Sequence, residues 1–421
     1  MSGYSQPVAL EVLFYSPIWR RIMKTSEKIA RCNLSPMRKY RPLQEKAEER
    51  GMNIYHLNIG QPDVQTPDEL FDAIKNYCDE RPVLSYAPSP GLPALIEAIQ
   101  KYYHKLGCEY AKNEIYISEG GSEALQTTML AILDPGDEVI IPEPFYPNYN
   151  TFISIAGGVI HPLQTSPEEN YFFADKARLE ACLTDKTKAI LFSNPGNPTG
   201  TILRKEDYQT ILEFAKEHDL YVVADEVYRE FLYTGEMLTA GQFEGFDDNV
   251  IIIDSVSKRF SACGARIGAI ISKNKNFMTE MMKLMQGRLA APWIDQVGAA
   301  ALYNVSDDYY ASVREEYKKR RDICYNALKD VPGIVVHCPD GAFYMMAKLP
   351  VDSADKFQIF LLEEFNDNGD TVMFAAGDGF YKTAGGGVNE IRIAYILKPE
   401  KLKRAMELLV KGIEAYNAKN K

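Results

Sequence analysis

The strongest constraint on this chain is an alternation. Short β-branched runs, Ile115 to Ser118, Glu138 to Ile141, Ala189 to Ser193, Tyr221 to Ala224, Val250 to Asp254 and Ala265 to Ser272, read as buried strands. Stretches with helical spacing fill the gaps: Glu69 to Cys78, Pro93 to Leu106, Ser122 to Leu133, Asp175 to Cys182 and Lys205 to His218. Strands apolar on both sides must be covered on both sides, so the pattern predicts an α/β fold with a mainly parallel sheet between helices. The last third reads differently. A long helical stretch from Asp307 to Leu328 is followed by strands at Ile334 to His337, Ala342 to Lys348 and Ile391 to Tyr395, then by a charged helix from Pro399 onward. That is a smaller α+β domain, and with no Gly/Pro/Ser-rich linker the boundary falls inside a helical region near residue 305.

Charge and cysteine usage narrow the partners. Lys plus Arg is 47 against Asp plus Glu 58, a net charge of −11, and no long basic block appears. Neither a nucleic acid nor an anionic membrane is expected as partner. The seven cysteines are odd in number and scattered without a C-x-x-C pair, so no disulfide framework or metal site is indicated, and the chain reads as cytoplasmic. The first residues, MSGYSQPVALEVLFYSPIWRR, lack a basic leader, and Glu11 and Pro17 interrupt their apolar stretch. They fit neither a signal peptide nor a spanning helix, and a start at Met23 is plausible.

Five segments at predicted strand ends carry candidate chemistry. In Ser118-Glu-Gly-Gly-Ser-Glu-Ala-Leu125 paired glycines precede a helix start at Ser122. Free amides there make an anion site, although a glycine turn with a serine N-cap is also how many such loops are built. G-x-x-x-x-G-K-[ST] and G-x-G-x-x-G are both absent. Asn194-Pro-Gly-Asn-Pro-Thr-Gly200 packs two prolines and two glycines into seven residues. That density favours a positioned side chain, assigned here to Asn194, over a mere turn. Asp225, in Asp225-Glu-Val-Tyr228, follows a buried run and so calls for a cationic ligand atom, or serves equally as an N-cap. Lys258, in Ser255-Val-Ser-Lys258, stands at a strand end among hydroxyls, eight residues before Arg266 in Gly264-Ala-Arg266-Ile-Gly268. This setting suits a Schiff-base lysine beside an anion held by Arg266, where a lysine elsewhere is ordinarily surface. Arg392, in Glu390-Ile-Arg-Ile-Ala-Tyr395, alternates with Ile391 and Ile393; it either lies on a solvated strand face or binds a carboxylate in a cleft.

Together these segments resemble the class I and II aminotransferases, fold-type-I enzymes dependent on pyridoxal 5'-phosphate. Asn33-Leu-Ser-Pro-Met-Arg-Lys39 and His56-Leu-Asn-Ile-Gly-Gln-Pro-Asp63 are similar to the bacterial and archaeal aspartate and aromatic branch. The resemblance implies that Lys258 forms the Schiff base with the cofactor and shuttles a proton, and that Asp225 pairs with the pyridine nitrogen. It implies that Tyr228 and Asn194 bond the phenolic oxygen. Gly121, Ser122, Ser255, Ser257 and Arg266 form the phosphate cradle, and Tyr146 stacks on the ring. Tyr86, in Ser85-Tyr-Ala-Pro-Ser-Pro-Gly91, reaches the phosphate from the partner subunit of a homodimer. Arg392 and Gly60 receive the substrate α-carboxylate, Asn194 also lies on the substrate side, and Arg288 is the candidate for a distal carboxylate in the partner's pocket. The corresponding division is an extension (1–30), a segment joining the small domain (31–55), a large cofactor-binding domain (56–305) and a small domain (306–421).

The activity expected is transfer of an amino group from an L-amino acid, aspartate or aromatic, to a 2-oxo acid such as 2-oxoglutarate. A β-lyase, an aspartate decarboxylase or a cyclopropane-forming synthase uses the same lysine and electron sink. A non-catalytic, cofactor-sensing regulatory domain is the reading from another class; it needs a DNA-binding module that this acidic chain does not supply.

Overall fold

The computed structural model describes residues 25–32 and 35–420. Most of the expected N-terminal extension therefore lies outside the described residues, as do Asn33 and Leu34. The predicted alternation closes into a seven-stranded sheet. Its order is Ile115–Ser118, Gly268–Ile271, Val250–Ser255, Tyr221–Asp225, Thr187–Ser193, Glu138–Glu143 and Val159–Gln164. Gly268–Ile271 runs antiparallel to both its neighbours, and the other pairings are parallel.

Residue parity explains why both faces are covered. Ile140, Ile190, Val222, Ala224 and Ile252 pack into one hydrophobic core, and Val139, Ile141, Ala189, Leu191, Val223, Ile251 and Ile253 pack into another. Alternate side chains of a strand point to opposite faces, so each strand feeds two cores. The second core is roofed by the helices Gly120–Ile132, Asn148–Ala156 and Lys275–Arg288, which contribute Leu125, Tyr149 and Met281.

A second, antiparallel sheet has the order Ala375–Ala376, Glu390–Ala394, Tyr344–Lys348, Val335–Val336. It shares a separate core with the helices Asp307–Leu328 and Pro399–Lys419, joined by Tyr40 from the N-terminal segment and by Leu57, just beyond the expected end of that segment. Asn53–His56 pairs in parallel with Asp370–Met373 and ties this segment down.

Two departures from the sequence expectation have clear causes. The strand expected over Ala265 to Ser272 begins only at Gly268, because Cys263–Ala265 forms a 3-10 turn and Arg266 takes a left-handed conformation (φ 52). Gly268 is required there: a Cβ would come within 2.6 Å of the Gly120 carbonyl carbon and 2.7 Å of the Gly121 nitrogen. Val159–Gln164 was not anticipated. It is an edge strand whose His161 and Pro162 interrupt the apolar pattern, and an edge is where proline is tolerated in a sheet.

Candidate active site

The carboxyl ends of Tyr221–Asp225 and Val250–Ser255 open into a cavity of about 520 Å³, where the second sheet supplies Tyr344 and Arg392. Ligands in open α/β sheets bind outside the carboxyl ends of the strands, so strand direction alone delivers Asp225 and Ser255 to this place. Lys258 follows on the short helix Val256–Arg259, begun by the Ser255 side chain, which accepts a hydrogen bond from the Ser257 amide.

Lys258 is half-buried. Its Nζ donates to the Gly60 carbonyl at 3.2 Å and lies 3.8 Å from Cys263 Sγ. Gly60 must be glycine at this point, because a Cβ there would overlap the Tyr344 hydroxyl. The next residue, Arg259, is buried behind the site, pairs with Asp254 and lies over the Tyr102 ring at 4.5 Å. That anchor holds the backbone from which Lys258 projects.

Asp225 is buried, with 4% of its surface exposed, and no cation of the described residues pairs with it. Tyr149 donates to Oδ2 at 2.7 Å from the helix roofing that face of the sheet, and the Val227 amide approaches Oδ1 at 3.5 Å. Burial pushes its carboxyl up to about 6, although the Tyr149 and Val227 hydrogen bonds oppose the rise. A buried acid left without a counter-charge demands a proton or a cation from a ligand.

At the opposite end, donors converge for an anion. The helix Gly120–Ile132 presents its first amides, with Gly121 and Ser122 lining the cavity beside Ser255 and Ser257. Ser255 Oγ lies 2.8 Å from Ser257 Oγ. Arg266 closes this end, its guanidinium held by the carbonyls of Cys263 at 3.1 Å and Glu119 at 3.2 Å. Gly120 makes room: it sits at φ +77, and a Cβ would run into that guanidinium.

Arg392 is not on a solvated face. The whole strand Glu390–Ala394 is buried, and Arg392 is 2% exposed. Its guanidinium donates to Asn197 Oδ1 at 3.1 Å and to the Asn58 carbonyl at 2.8 Å, stacks on Tyr344 at 4.5 Å, and leaves Nε without a partner. No carboxylate of the described residues pairs with it, and burial pulls it below the ordinary arginine range. A fork this deep is poised for a carboxylate.

The assignment of Asn194 is corrected by the same geometry. Its side chain turns into the core, where Nδ2 donates to the Tyr208 hydroxyl at 2.8 Å and Oδ1 accepts from the Leu203 amide at 2.9 Å. Asn197, three residues on in the same rigid loop, lines the cavity and approaches the Tyr228 hydroxyl at 3.4 Å. Tyr228 in turn lies 3.0 Å from the Tyr344 hydroxyl.

The comparison with known proteins now decides the family. The model of aminotransferase class I and II matches residues 53–409. The chain is 33% identical over 376 residues to an aspartate aminotransferase of a Bacillus species, covering 86% of this chain and 93% of the relative. It is 30% identical over 362 residues to an aspartate/prephenate aminotransferase of Thermus thermophilus, covering 85% and 90%. The solved alanine aminotransferase of Pyrococcus furiosus superposes with a TM-score of 0.86 at 30% identity, covering 93% of this chain and all of that one.

The chain belongs to the class I and II aminotransferases.

It is thus a pyridoxal-phosphate-dependent aminotransferase, and the cavity fits that cofactor on its own evidence. Asp225 is a buried acid without a counter-charge among the described residues, suited to a protonated pyridine nitrogen. The Gly121, Ser122, Ser255, Ser257 and Arg266 cluster suits a phosphate, and Tyr228 and Asn197 bring polar groups to the region between. Tyr146 lines the cavity edge-on to Tyr149, its hydroxyl accepting from Asn148 Nδ2 at 2.7 Å.

Two expected residues stand elsewhere. Tyr86 lies on an exposed loop, 81% exposed beside exposed Val83 and Leu84, and does not line the cavity of its own chain. Arg288 is committed inside its own chain: Nη1 pairs with Glu123 at 2.8 Å, and Nη2 donates to the carbonyls of Ile117 at 3.1 Å and Ser89 at 3.3 Å. With its fork occupied and its side chain 14% exposed, Arg288 does not offer a free guanidinium to a partner's pocket. Sequence reading missed Tyr149, Tyr344 and Asn197. Of these only Asn197 carried a local signal, as the second Asn-Pro of its loop.

Proposed function

We propose that this aminotransferase moves an amino group from an L-amino acid to a 2-oxo acid, with 2-oxoglutarate as acceptor, acidic donors such as aspartate first and aromatic donors second. The observation that carries the reading is the pair of buried charges without a counter-charge, Asp225 and Arg392, that line one cavity with Lys258. Bound pyridoxal phosphate supplies an aldehyde to receive the amino group and a ring that withdraws electrons from the substrate Cα. Asp225 holds the proton on the ring nitrogen, which sustains that withdrawal. Lys258 holds the cofactor until substrate arrives, and its freed amine then moves the proton at the substrate Cα. Tyr228 and Asn197 would bind the phenolic oxygen, Tyr146 would pack against the ring, and Arg266 would balance the charge of the phosphate, with Ser122, Ser255 and Ser257 donating to it.

Arg392 grips the α-carboxylate, with Asn197 and the Asn58 carbonyl fixing its fork and Gly60 leaving room beside it. Residues 56–305 then act as the cofactor-binding domain, while 306–421, joined by 31–55, supplies Arg392. The exposed apolar loop around Tyr86 supports a homodimer in which Tyr86 of each subunit reaches the other's phosphate site. Cytoplasmic residence fits seven free cysteines, and no described helix is long and apolar enough to cross a membrane. A panel of amino donors assayed against 2-oxoglutarate tests the reading. Formation of glutamate with the matching oxo acid supports it, whereas release of ammonia and pyruvate, or of carbon dioxide, points to lyase or decarboxylase chemistry.

A further inference from the structure

The strand Tyr344–Lys348 opens with a buried tyrosine that joins two parts of the cavity. Tyr344 is 2% exposed; its ring carries the Arg392 guanidinium at 4.5 Å, and its hydroxyl lies 3.0 Å from that of Tyr228. The hydroxyl occupies room that a side chain at Gly60 would take, since a Cβ there would come within 1.9 Å of it.

The direction of the bond to Tyr228 follows from counting protons. Among the described residues the Tyr344 hydroxyl has Tyr228 as its one hydrogen-bond partner. If Tyr228 donated, the buried Tyr344 proton would be left without an acceptor, so Tyr344 donates and Tyr228 accepts. Asn197 Nδ2, which can only donate, approaches the same Tyr228 oxygen at 3.4 Å. With its oxygen accepting from both sides, Tyr228 keeps its own proton, for which the described residues supply no acceptor. Tyr228 lines the cavity, and that proton is free for a ligand oxygen.

We infer that Tyr344 is a positioning residue acting through Tyr228: by donating to Tyr228 it turns the Tyr228 proton toward the phenolic oxygen of the bound cofactor. The inference rests on the aminotransferase reading and deepens its assignment of Tyr228. Chained hydroxyls polarise one another, so Tyr228 is also a stronger donor than it would be alone. A donor to the phenolic oxygen stabilises that oxygen as an anion, and so lets the Lys258 Schiff base lose its proton at lower pH.

The test is a pH titration of the Schiff-base absorbance of the holoenzyme. In Tyr344→Phe the midpoint should rise by about 0.3 to 1 pH unit, the result of weakening one charge-assisted hydrogen bond. The ring stays on Arg392, so affinity for propionate, a plain carboxylate, should change by less than about twofold when measured below both midpoints. Tyr344→Leu removes the ring as well and should weaken propionate about three- to tenfold. Tyr228→Phe should also raise the midpoint, and Tyr344→Phe added to it should raise it no further. An unmoved or lowered midpoint in Tyr344→Phe, or a second rise in the double variant, overturns the inference. Equal loss of propionate binding in Tyr344→Phe and Tyr344→Leu overturns it too, because the hydroxyl would then serve the Arg392 site. A midpoint that stays put in Tyr228→Phe as well counts against the aminotransferase reading's own assignment of Tyr228.

Discussion

Two groups of buried charges lie back to back in this molecule, and they are built on opposite rules. Behind the catalytic lysine, Asp254 pairs with Arg259 and lies 3.7 Å from Arg229, while Arg229 meets Glu226 at 2.7 Å and Tyr103 donates to Asp254 at 3.0 Å. Burial alone would raise the Asp254 carboxyl, but Arg259 and Arg229 outweigh it and hold it below its ordinary range. In the cavity the depth is similar and the partners are missing: Asp225 is driven up to about 6, and Arg392 is lowered by burial. A closed ion network holds the chain in one geometry, whereas an open buried charge is reserved for what binds.

The contrast can be broken most sharply on stability. Asp254→Ala should cost about 3 to 5 kcal/mol in denaturant unfolding, because it leaves Arg259 buried without its carboxylate and leaves Arg229 with Glu226 alone. Asp225→Asn, which keeps an acceptor for the Tyr149 hydroxyl, should not destabilise the cofactor-free protein at pH 7, since it removes a carboxylate that has no counter-charge. The same substitution should lower turnover by roughly 10²- to 10³-fold while phosphate contacts retain the cofactor, a split visible in single-turnover kinetics and a binding titration. If both aspartates behaved alike in unfolding, the distinction between closed and open charge would fail.

A pH series sharpens it further. Asp225 in the folded, cofactor-free protein keeps its proton to about pH 6, whereas the unfolded chain releases it near 3.8, the ordinary value of an aspartate. The folded state therefore binds more protons at this group between these values, so the contribution of Asp225 to stability is greatest below about pH 4 and falls by about 3 kcal/mol as pH rises through 6. Asp225→Asn should flatten that slope, and so should loading the cofactor. The smallest effect is expected at Arg392. Arg392→Lys keeps the charge and loses the fork, so it should raise KM about 10- to 100-fold for acidic and aromatic donors alike. Steady-state kinetics with one donor of each class checks it.

Much of the scaffold was legible in the chain because buried parallel strands leave continuous apolar runs, and Asp225, Ser255 and Lys258 follow such runs directly. Arg392 was legible as a candidate, but its burial was not, since alternation says which face a residue takes and not what covers that face. The error at Asn194 has the same root. Asn194 and Asn197 both precede prolines in one loop, and only the turn of the backbone decides which amide enters the core toward Tyr208 and which the cavity toward Tyr228. Contacts between distant segments, such as Tyr149 with Asp225 or Arg288 with Glu123, leave no periodic trace at all.

The central claim is that Lys258, lining one cavity with an acid and an arginine that both lack a counter-charge, carries the cofactor and the proton transfer. Borohydride reduction of the purified holoenzyme, followed by peptide mapping, tests it directly. One phosphopyridoxyl group per chain should appear on the peptide containing Lys258, and Lys258→Ala should lose both the label and the pH-dependent Schiff-base absorbance, with turnover reduced on the order of 10⁴-fold. A label on another lysine, or an unlabelled chain that still transaminates, would contradict the account.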